Sequence, residues 1–497
     1  PISKEFAAKY PDLFGKLTKF SMEGKEFEKT FKRLLVENEE LKNLWDKYCL
    51  EFQLLSRFIR DNYKLYGTSG DLSYQKVFLE RAMLSTIDTG TVAFLVPSGF
   101  HTDEGQKELR KVIIDNYTLL SLMSFENRGQ KWFSDVDPRF KFDAVVFTKT
   151  KNEMNIPINT RFYIHDIEQV QEPILINPKS IAKFSPLTLG FVEFGSQRDV
   201  DIASKIRADH PLLIDTNFRL SSEFHMTNDN GLFHNYAEKT DQSIVLYEGK
   251  MFHQYENEFD EPRYWIKEDI GRNRLLLREI FRIKKLIKEK QLEKDFNQEA
   301  FKLNHFKLDF ENYRLAYRTI ASSTNERTLI ATILPPNVFT GHSINYFKSI
   351  FYDFYENEII QRGTDYKEML YLLAIMNSFV LDYYIRLRIS ANVTMFFIYE
   401  LPIPQIEPSI LNDIAKMALN LLPNNSIYEE LAKQLELFKE KLTFDEKRVL
   451  RSRLESIIAK YVNQLNIDEL DYILSTFTFG NIDKELIGMI KKQFLIE

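Results

Sequence analysis

The segment from Thr91 to Thr148 constrains the fold more than any other stretch of the chain. A compact apolar run, Thr91–Val96, is stopped by the turn residues Pro97-Ser98-Gly99. Thr102-Asp103-Glu104 then offers a cap and first-turn acids, which predict a helix running to about Asn116. Leu119–Phe125 reads as a second strand and Phe142–Thr148 as a third, with a polar loop rich in Arg, Lys and aromatic residues between them. Short buried strands joined through an amphipathic helix are the pattern of an open α/β sheet.

The pattern differs on either side. Residues 1–66 read as helical after an irregular start, because Phe27, Phe31, Leu34, Leu35, Leu41 and Trp45 recur at helical spacing among charged residues. Gly67–Asp71 reads as a turn, and Leu72–Met83 as a helix with Tyr74, Phe78 and Ala82 on one side. Further strand signals are Arg161–Ile164, Pro173–Ile176 and Gly190–Phe194, followed by a short helix at Asp199–Ala208 that His210-Pro211 ends. From Asp215 to Gln405 short strands alternate with aromatic loops and basic stretches. The tail, Ile410–Glu497, reads as helical, with Leu431, Leu435, Phe438 and Leu442 and then Leu454, Ile457, Ile458 and Tyr461; its heptads are not sustained, which argues against a long coiled coil.

Composition bounds the function classes. A chain of 497 residues holds two or three domains, and 44% hydrophobic residues with 14% aromatics supply real cores. A net charge of −6 excludes a polybasic nucleic-acid coat, so any such contact must come from local patches. One such patch, Ile266–Lys294, carries ten Lys or Arg against five Asp or Glu, and reads either as a solvated helix face or as a phosphate-tracking surface. The one cysteine, Cys49, excludes internal disulfides and thiolate zinc clusters and fits a reducing cytosol. The eight histidines lack metal spacing. The most apolar window, Tyr371–Ile385, is interrupted by Asn377, Ser378 and Asp382 and is too short to span a bilayer. The chain opens on Pro1, which reads as a fragment or processed piece.

The series Val96-Pro97-Ser98-Gly99, Leu109-Arg110, Phe125-Glu126-Asn127, Phe133 and Lys141-Phe142-Asp143 resembles the second half of a DNA amino-methyltransferase. It is similar to the adenine-N6 enzymes fused to their own recognition domains, as in type IIG restriction-modification and phage-exclusion systems. The resemblance extends upstream to Gly70-Asp71-Leu72-Ser73-Tyr74 and downstream almost to the C-terminus. It implies an α/β fold: the second half of a Rossmann-like methyltransferase sheet, followed by an α+β target-recognition domain and a helical tail. The implied division is a helical packing region at 1–66, the methyltransferase half at 67–208, the recognition domain at 209–405 and a helical segment at 406–497. S-adenosylmethionine as cofactor, with double-stranded DNA and other subunits of a defence system as partners, follows from the same resemblance, while the single cysteine and the short apolar window point to a cytoplasmic location and no membrane association. Asp71, Tyr74 and Phe78 match the segment that borders the cofactor pocket, and Phe133 matches the aromatic residue that stacks on a flipped base.

Leu370–Pro404, with a helix around Asn377-Ser378, a loop near Asn392 and a strand closing on Pro402-Ile403-Pro404, resembles the recognition domains of such enzymes and of type I specificity subunits. Within that half, Arg314, Arg318, Ser322, Ser323, Thr324, Asn325 and Arg327 form the densest cluster of donors in the chain. Arginine reads guanine in a bidentate manner, asparagine reads adenine and hydroxyls hold phosphates. Ordinary loop polarity gives Ser-Ser-Thr-Asn as well.

The chain departs from the family in two places. Neither the Asn/Asp-Pro-Pro-aromatic loop that holds the target amine nor the glycine loop that holds S-adenosylmethionine occurs; the nearest strings are Asn177-Pro178-Lys179 and Asp137-Pro138-Arg139-Phe140. The resemblance therefore implies a C-terminal portion, with the cofactor bound mainly by an N-terminal half that this sequence lacks. Two other readings stand beside it. One is a non-catalytic DNA-binding specificity subunit. The other is a magnesium-dependent nuclease at Asp241, Glu248 and Lys250, whose spacing around Ile244–Tyr247 suits carboxylates that hold Mg²⁺ and a lysine that positions water. On the leading reading, transfer of tritiated methyl groups from S-adenosylmethionine to mixed-sequence DNA by this chain alone stays at background. Robust incorporation would overturn the fragment reading.

Overall fold

A computed structural model describes residues 2–10, 24–63, 72–151, 155–289, 307–321, 325–355, 358–389 and 392–497. The chain is mixed α/β and divides into two compact units, Pro1–Ser180 with Thr188–Gly190, and Ile181–Leu187 with Phe191–Glu497.

The first unit begins with α1 (Ile2–Lys9), α2 (Gly24–Glu37) and α3 (Glu39–Asn62). Of the residues at helical spacing, Phe27, Phe31 and Leu41 are buried, joined by Phe6 and Tyr48, with Leu34, Leu35 and Trp45 partly buried against them. Trp45 packs edge-on against Phe6 and Phe31, at ring distances of 5.0 and 4.9 Å. The Asn38 side chain accepts from Leu41 N–H and sets the start of α3.

Next come α4 (Tyr74–Ser85), β1 (Thr91–Pro97), α5 (Lys107–Asn116), β2 (Thr118–Glu126), β3 (Lys141–Thr148), β4 (Ile158–Ile164) and β5 (Ile174–Ile176). The sheet order is β1-β3-β2-β4-β5. Both β1 and β2 pair antiparallel with β3, so they run parallel to each other with β3 inserted between them. The neighbour β4 is parallel to β2, and β5 is antiparallel to β4. Leu122, Val145 and Phe147 from the sheet and Leu109 and Ile113 from α5 are buried.

The helix after β1 starts where its sequence suggests. Gly99–Thr102 makes one helical turn, Asp103 is extended, and a 3-10 turn, Glu104–Gln106, leads into α5 at Lys107, with Gln106 N–H bonded to the Asp103 carbonyl at 3.1 Å. Arg110 holds this junction: its buried guanidinium donates to the Phe100, Asp103 and Thr188 carbonyls at 2.6, 2.8 and 2.7 Å.

The second unit opens with α6 (Gln197–Arg207), β6 (Leu220–Ser221), β7 (Ser243–Tyr247), β8 (Tyr264–Lys267) and α7 (Glu268–Glu289). It continues through β9 (Arg314–Arg318), β10 (Ala331–Leu334), β11 (Phe339–Thr340), β12 (Ile344–Phe347), β13 (Ile350–Tyr355) and β14 (Glu358–Gly363). Three sheets result, β10-β9-β12-β6, β11-β7-β8 and the hairpin β13-β14. The helices α8 (Tyr366–Asn377), α9 (Phe379–Arg386), α10 (Pro408–Leu421), α11 (Ser426–Gln434), α12 (Phe444–Ile457), α13 (Ile467–Ser475) and α14 (Lys484–Ile496) complete it.

Ser378 breaks the most apolar window into α8 and α9 with a 62° bend. Its hydroxyl accepts from Leu381 N–H to cap α9 and donates to the Ile375 carbonyl. Among the described residues no single helix is long and apolar enough to cross a membrane.

Two strand expectations fail locally. Gly190–Phe194 forms no strand, since Glu193 N–H bonds the Leu387 carbonyl instead of a ladder. The segment before Pro402 is a short helix, Met395–Tyr399, and pairs only through one bridge between Leu212 and Pro402. The division by packing falls between Ser180 and Phe191, ahead of the boundary at 208 read from the sequence. The helix α6 packs within the second unit, where Asp199 accepts from the Tyr383 and Tyr472 hydroxyls at 2.6 and 3.0 Å.

The described part of the basic run lies mostly on α7, where its arginines are largely engaged inside the unit; residues 290–294 lie outside the described residues. Arg272 pairs with Glu311 at 3.1 Å and Arg274 with Asp229 at 3.0 Å. Arg278 donates to the Glu223 carbonyl and Arg282 to Glu279 and the Tyr352 carbonyl.

The helix sits down on β11 at Gly271, where a Cβ would lie 2.4 Å from the Phe339 ring. Phe339 is itself fixed by Phe310 and Phe224, with ring distances of 4.8 and 5.2 Å. Gly271→Ala is therefore expected to lower stability by about 1–3 kcal/mol through overpacking. Urea denaturation with an unchanged slope reads this directly, and an unshifted midpoint would show that Phe339 has room to move.

Candidate functional site

In the first unit the carboxyl ends of β1 and β2 meet the start of β3, the place where open α/β sheets tend to offer a crevice. A cleft of about 230 Å³ opens there, lined by Leu95, Val96, Pro97, Asn127, Phe133, Val136, Phe140, Lys141 and Phe142. Behind the lining, Phe142 stacks on Phe125 with their rings 5.1 Å apart and 9° from parallel, and Trp132 stands edge-on at 5.2 Å from Phe125. Phe133 stands edge-on to Phe142 at 4.9 Å and keeps 41% of its surface exposed; Phe140 keeps 61%.

One side chain holds the loop that carries these rings. Asn127 is buried, donates to the Phe133 and Val136 carbonyls at 2.9 and 3.0 Å, and accepts from the Trp132 and Phe133 amides at 3.2 and 2.9 Å. All four hydrogen-bonding capacities of the amide are used on its own loop. The adjoining string Asp137-Pro138-Arg139-Phe140 is a closed turn. Its carboxylate accepts from the Arg139 backbone and guanidinium, and those hydrogen bonds hold Asp137 down at about 2. The cleft offers flat apolar walls suited to a planar ring; Lys141 also lines it, with its ammonium over the Tyr163 ring at 4.2 Å.

The other sequence candidates of this unit fall elsewhere. Asp71 lies outside the described residues. Tyr74 and Phe78 stand side by side on the outer face of α4, with rings 6.5 Å apart and 63% and 59% exposed. The residues that α4 buries are Lys76, Val77, Leu79, Glu80 and Met83. Tyr74 and Phe78 thus make one open wall and enclose nothing, so the described residues there do not form a nucleoside pocket for S-adenosylmethionine.

In the second unit the three arginines of the donor cluster differ in placement. Arg314 is fully buried in β9, pairs with Glu223 at 2.6 Å, donates to the Val338 carbonyl and lies over the Tyr346 ring at 4.7 Å. Burial pushes the Glu223 carboxyl up, against the pull of Arg314 and Thr340. Arg327 is buried too; it donates to Asp382 and, at 2.7 Å, to the Asn377 carbonyl. Arg318 is half-buried, donates to the Phe252 carbonyl at 3.0 Å and lies over Phe252 and Phe259.

Asn325 is exposed, and Arg386 donates to its carbonyl at 2.7 Å; Asn392 is exposed and bridged to Ile320, itself exposed. Ser322, Ser323 and Thr324 lie outside the described residues. The structure thus puts Arg318, Asn325 and Asn392 within reach of a ligand at the surface and places Arg314 in the interior.

The carboxylates of the nuclease reading do not converge. Asp241 precedes β7 and Glu248 follows it, and a five-residue strand at about 3.3 Å per residue keeps the two ends apart. Glu248 pairs with Arg263 at 2.9 Å and Lys250 with Asp260 at 3.0 Å. Among the described residues no group of three or more His, Cys, Asp or Glu side chains is placed to hold a metal ion.

Sequence reasoning missed what Asn127 does and missed the charge cluster around Asp382. For Asn127 a signal existed, since an Asn directly after a strand and two residues before a glycine is a turn-forming position.

No family model matches the sequence, and no curated protein matches it. Solved structures similar to it include the type IIL restriction-modification enzyme MmeI in complex with DNA, at 13% identity and a TM-score of 0.46, over 87% of this chain and 55% of that one. The type IIG restriction endonuclease BpuSI is 12% identical with a TM-score of 0.28, over 80% of this chain and 50% of that one. A nuclease-deletion mutant of the type ISP enzyme LlaGI with a DNA substrate mimic is 12% identical with a TM-score of 0.37, over 74% and 39%. The chain spans about half the length of the first two.

Removing the Asn127 amide leaves two carbonyls and two backbone amides of its loop without their partner. Asn127→Ala should cost about 1–3 kcal/mol and release Trp132 from its edge-on seat. A red shift of Trp132 emission, read in a background with Trp45 and Trp265 replaced by Phe, checks it. Unchanged emission and stability would show that the loop stands without the amide.

Proposed function

We propose that this chain is the C-terminal, DNA-recognising portion of an S-adenosylmethionine-dependent adenine-N6 DNA methyltransferase in a bacterial restriction-modification or phage-defence system. The observation that carries the reading is convergence. Pro97, Asn127, Phe133 and Lys141-Phe142 come from separate motifs of the sequence resemblance, and they line one aromatic cleft. A base to be modified must leave the stack and be held between flat apolar faces, and this cleft provides such faces at the carboxyl ends of two parallel strands.

In this reading Phe133 stacks on the extruded base, Phe140 and Phe142 wall it from water, and Asn127 keeps the Phe133 loop in shape. S-adenosylmethionine supplies the methyl group; its own pocket is not formed by the residues described here, and no step is assigned to Tyr74 or Phe78. Arg318, Asn325 and Asn392 of the second unit are the groups assigned to contact duplex DNA, with Ser322, Ser323 and Thr324 as their sequence neighbours. Action on DNA in the cytoplasm, beside other subunits of the system, completes the proposal.

Binding of fluorescent duplexes at several salt concentrations tests it. Log affinity should fall linearly with log salt, by about 0.9 for each phosphate neutralised. Arg318→Ala should lower that slope by about one unit if the arginine meets a phosphate. A duplex carrying 2-aminopurine at the target position should brighten on binding, and Phe133→Ala should change the signal. Duplex binding with 2-aminopurine unmoved by wild type and variant alike would favour the non-catalytic specificity subunit. Failure to bind any duplex at low salt overturns the proposal.

A further inference from the structure

A second cleft, of about 340 Å³, lies wholly within the second unit, and His253, Gln254, Arg327, Phe379, Arg448 and Arg451 are among its lining residues. The charges buried beside it do not balance. Arg327 and Arg386 both reach Asp382, Arg386 at 3.2 Å, and Arg451 lies 3.9 Å from Glu455. Three guanidinium groups therefore face two carboxylates. Glu455 is further committed to the Phe379 backbone amide at 2.9 Å. A buried charge without a counter-charge is strongly destabilising, because nothing offsets its lost hydration.

The donors left over point to the same conclusion. Arg327 Nη1 and Arg451 Nε are buried and have no hydrogen-bond partner, and Arg327 is 3% exposed. The other nitrogens of Arg327 are spent on Asp382 and the Asn377 carbonyl, and Arg451 Nη2 on Gln254. Arg327 is also seated on the Phe379 ring at 4.1 Å, which fixes its plane.

At the rim the acids Asp483 and Glu485 are engaged by another cation. Arg448 is paired with Asp483 and Glu485, at 2.7 and 2.9 Å, and Lys447 donates to the Leu422 carbonyl. Glu256 and Glu326 are partly exposed to solvent, where water screens them. His253 reports the resulting field. Burial pulls its pKa down to about 4, and Arg318, Arg451 and Arg327 push in the same direction.

We propose that this cleft binds one phosphate group, held by Arg327 and Arg451 as the missing counter-charge of the buried cluster. A tetrahedral oxyanion accepts from two guanidinium groups at once, and charge-assisted bonds of that kind are the strong ones. The same chemistry is available from free inorganic phosphate and from the backbone of a DNA strand.

Titration calorimetry of the full chain with inorganic phosphate, against chloride at equal ionic strength, is the test. Wild type should bind phosphate saturably, and R451Q should bind at least about tenfold more weakly. A dianion beside His253 should raise its ring pKa, read by NMR on the wild-type chain and assigned with His253→Asn. That measurement stands even if R451Q does not fold. Absence of saturable phosphate binding by wild type overturns the site, as does an unmoved His253 at saturating phosphate. Duplex DNA as competitor separates the sources: displacement of phosphate identifies a strand backbone as the occupant, and independent binding identifies the free ion. The inference does not rest on methyltransferase function, since phosphate binding by a chain that ignores DNA would sink that reading and leave this one.

Discussion

At the bend between α8 and α9 the carboxylate of Asp382 accepts hydrogen bonds from the Arg327 guanidinium and from the backbone amide of Thr328, at 3.1 Å. Arg386, one turn along α9, approaches the same carboxylate and donates onward to the Asn325 and Glu326 carbonyls. A loop that leads into β10 is thereby clamped to the helix pair. The neighbouring Asn377 extends the clamp to β10 itself, and Glu455 from α12 reaches the first amide of α9. A buried ion pair of this kind adds little net stability, because desolvation offsets attraction, yet deleting one partner is severe. Its effect is to make one arrangement of strand, loop and helices far better than any near alternative.

The strands of the first unit were legible in the sequence because their apolar runs are short, bounded by turn residues and close in sequence to their partners. What lay outside that reading depended on distant partners. The buried seat of Arg110 on the Thr188 carbonyl, 78 positions away, has no local signal. The aromatic run Met395–Tyr399 looked like a strand, and apolar residues without clear periodicity leave strand and helix undecided. The cleft around Phe133 was reached through motif resemblance; no periodicity of the loop announces it. Arg314 shows the limit most plainly. Its residue type suggests DNA, but its partner Glu223 stands 91 positions away, and no local rule links the two.

The same point bears on how charge should be read. The run of cations on α7 suggested a surface for an anionic polymer, and the structure directs Arg272, Arg274, Arg278 and Arg282 to acids and carbonyls of their own unit. These side chains stay partly exposed while their charges are engaged, so a run of cations in the sequence does not by itself measure the free positive charge on a surface.

Asn377 has one more consequence. Its amide accepts from the Ala331 N–H and donates to the Ala331 carbonyl, each at 3.0 Å, so a side chain stands in for a neighbouring strand at the edge of the four-stranded sheet. That substitution blocks an edge on which another chain could pair. It also ties the sheet to a slow chemical clock. Asparagine followed by serine is prone to deamidation when the backbone is free to close on the side chain, and burial in α8 withholds that freedom here. Once the bend loosens, loss of a single amide nitrogen would set a carboxylate against the Ala331 carbonyl. The strand edge would then be repelled where it had been paired, so ageing of one residue would be irreversible for the whole clamp.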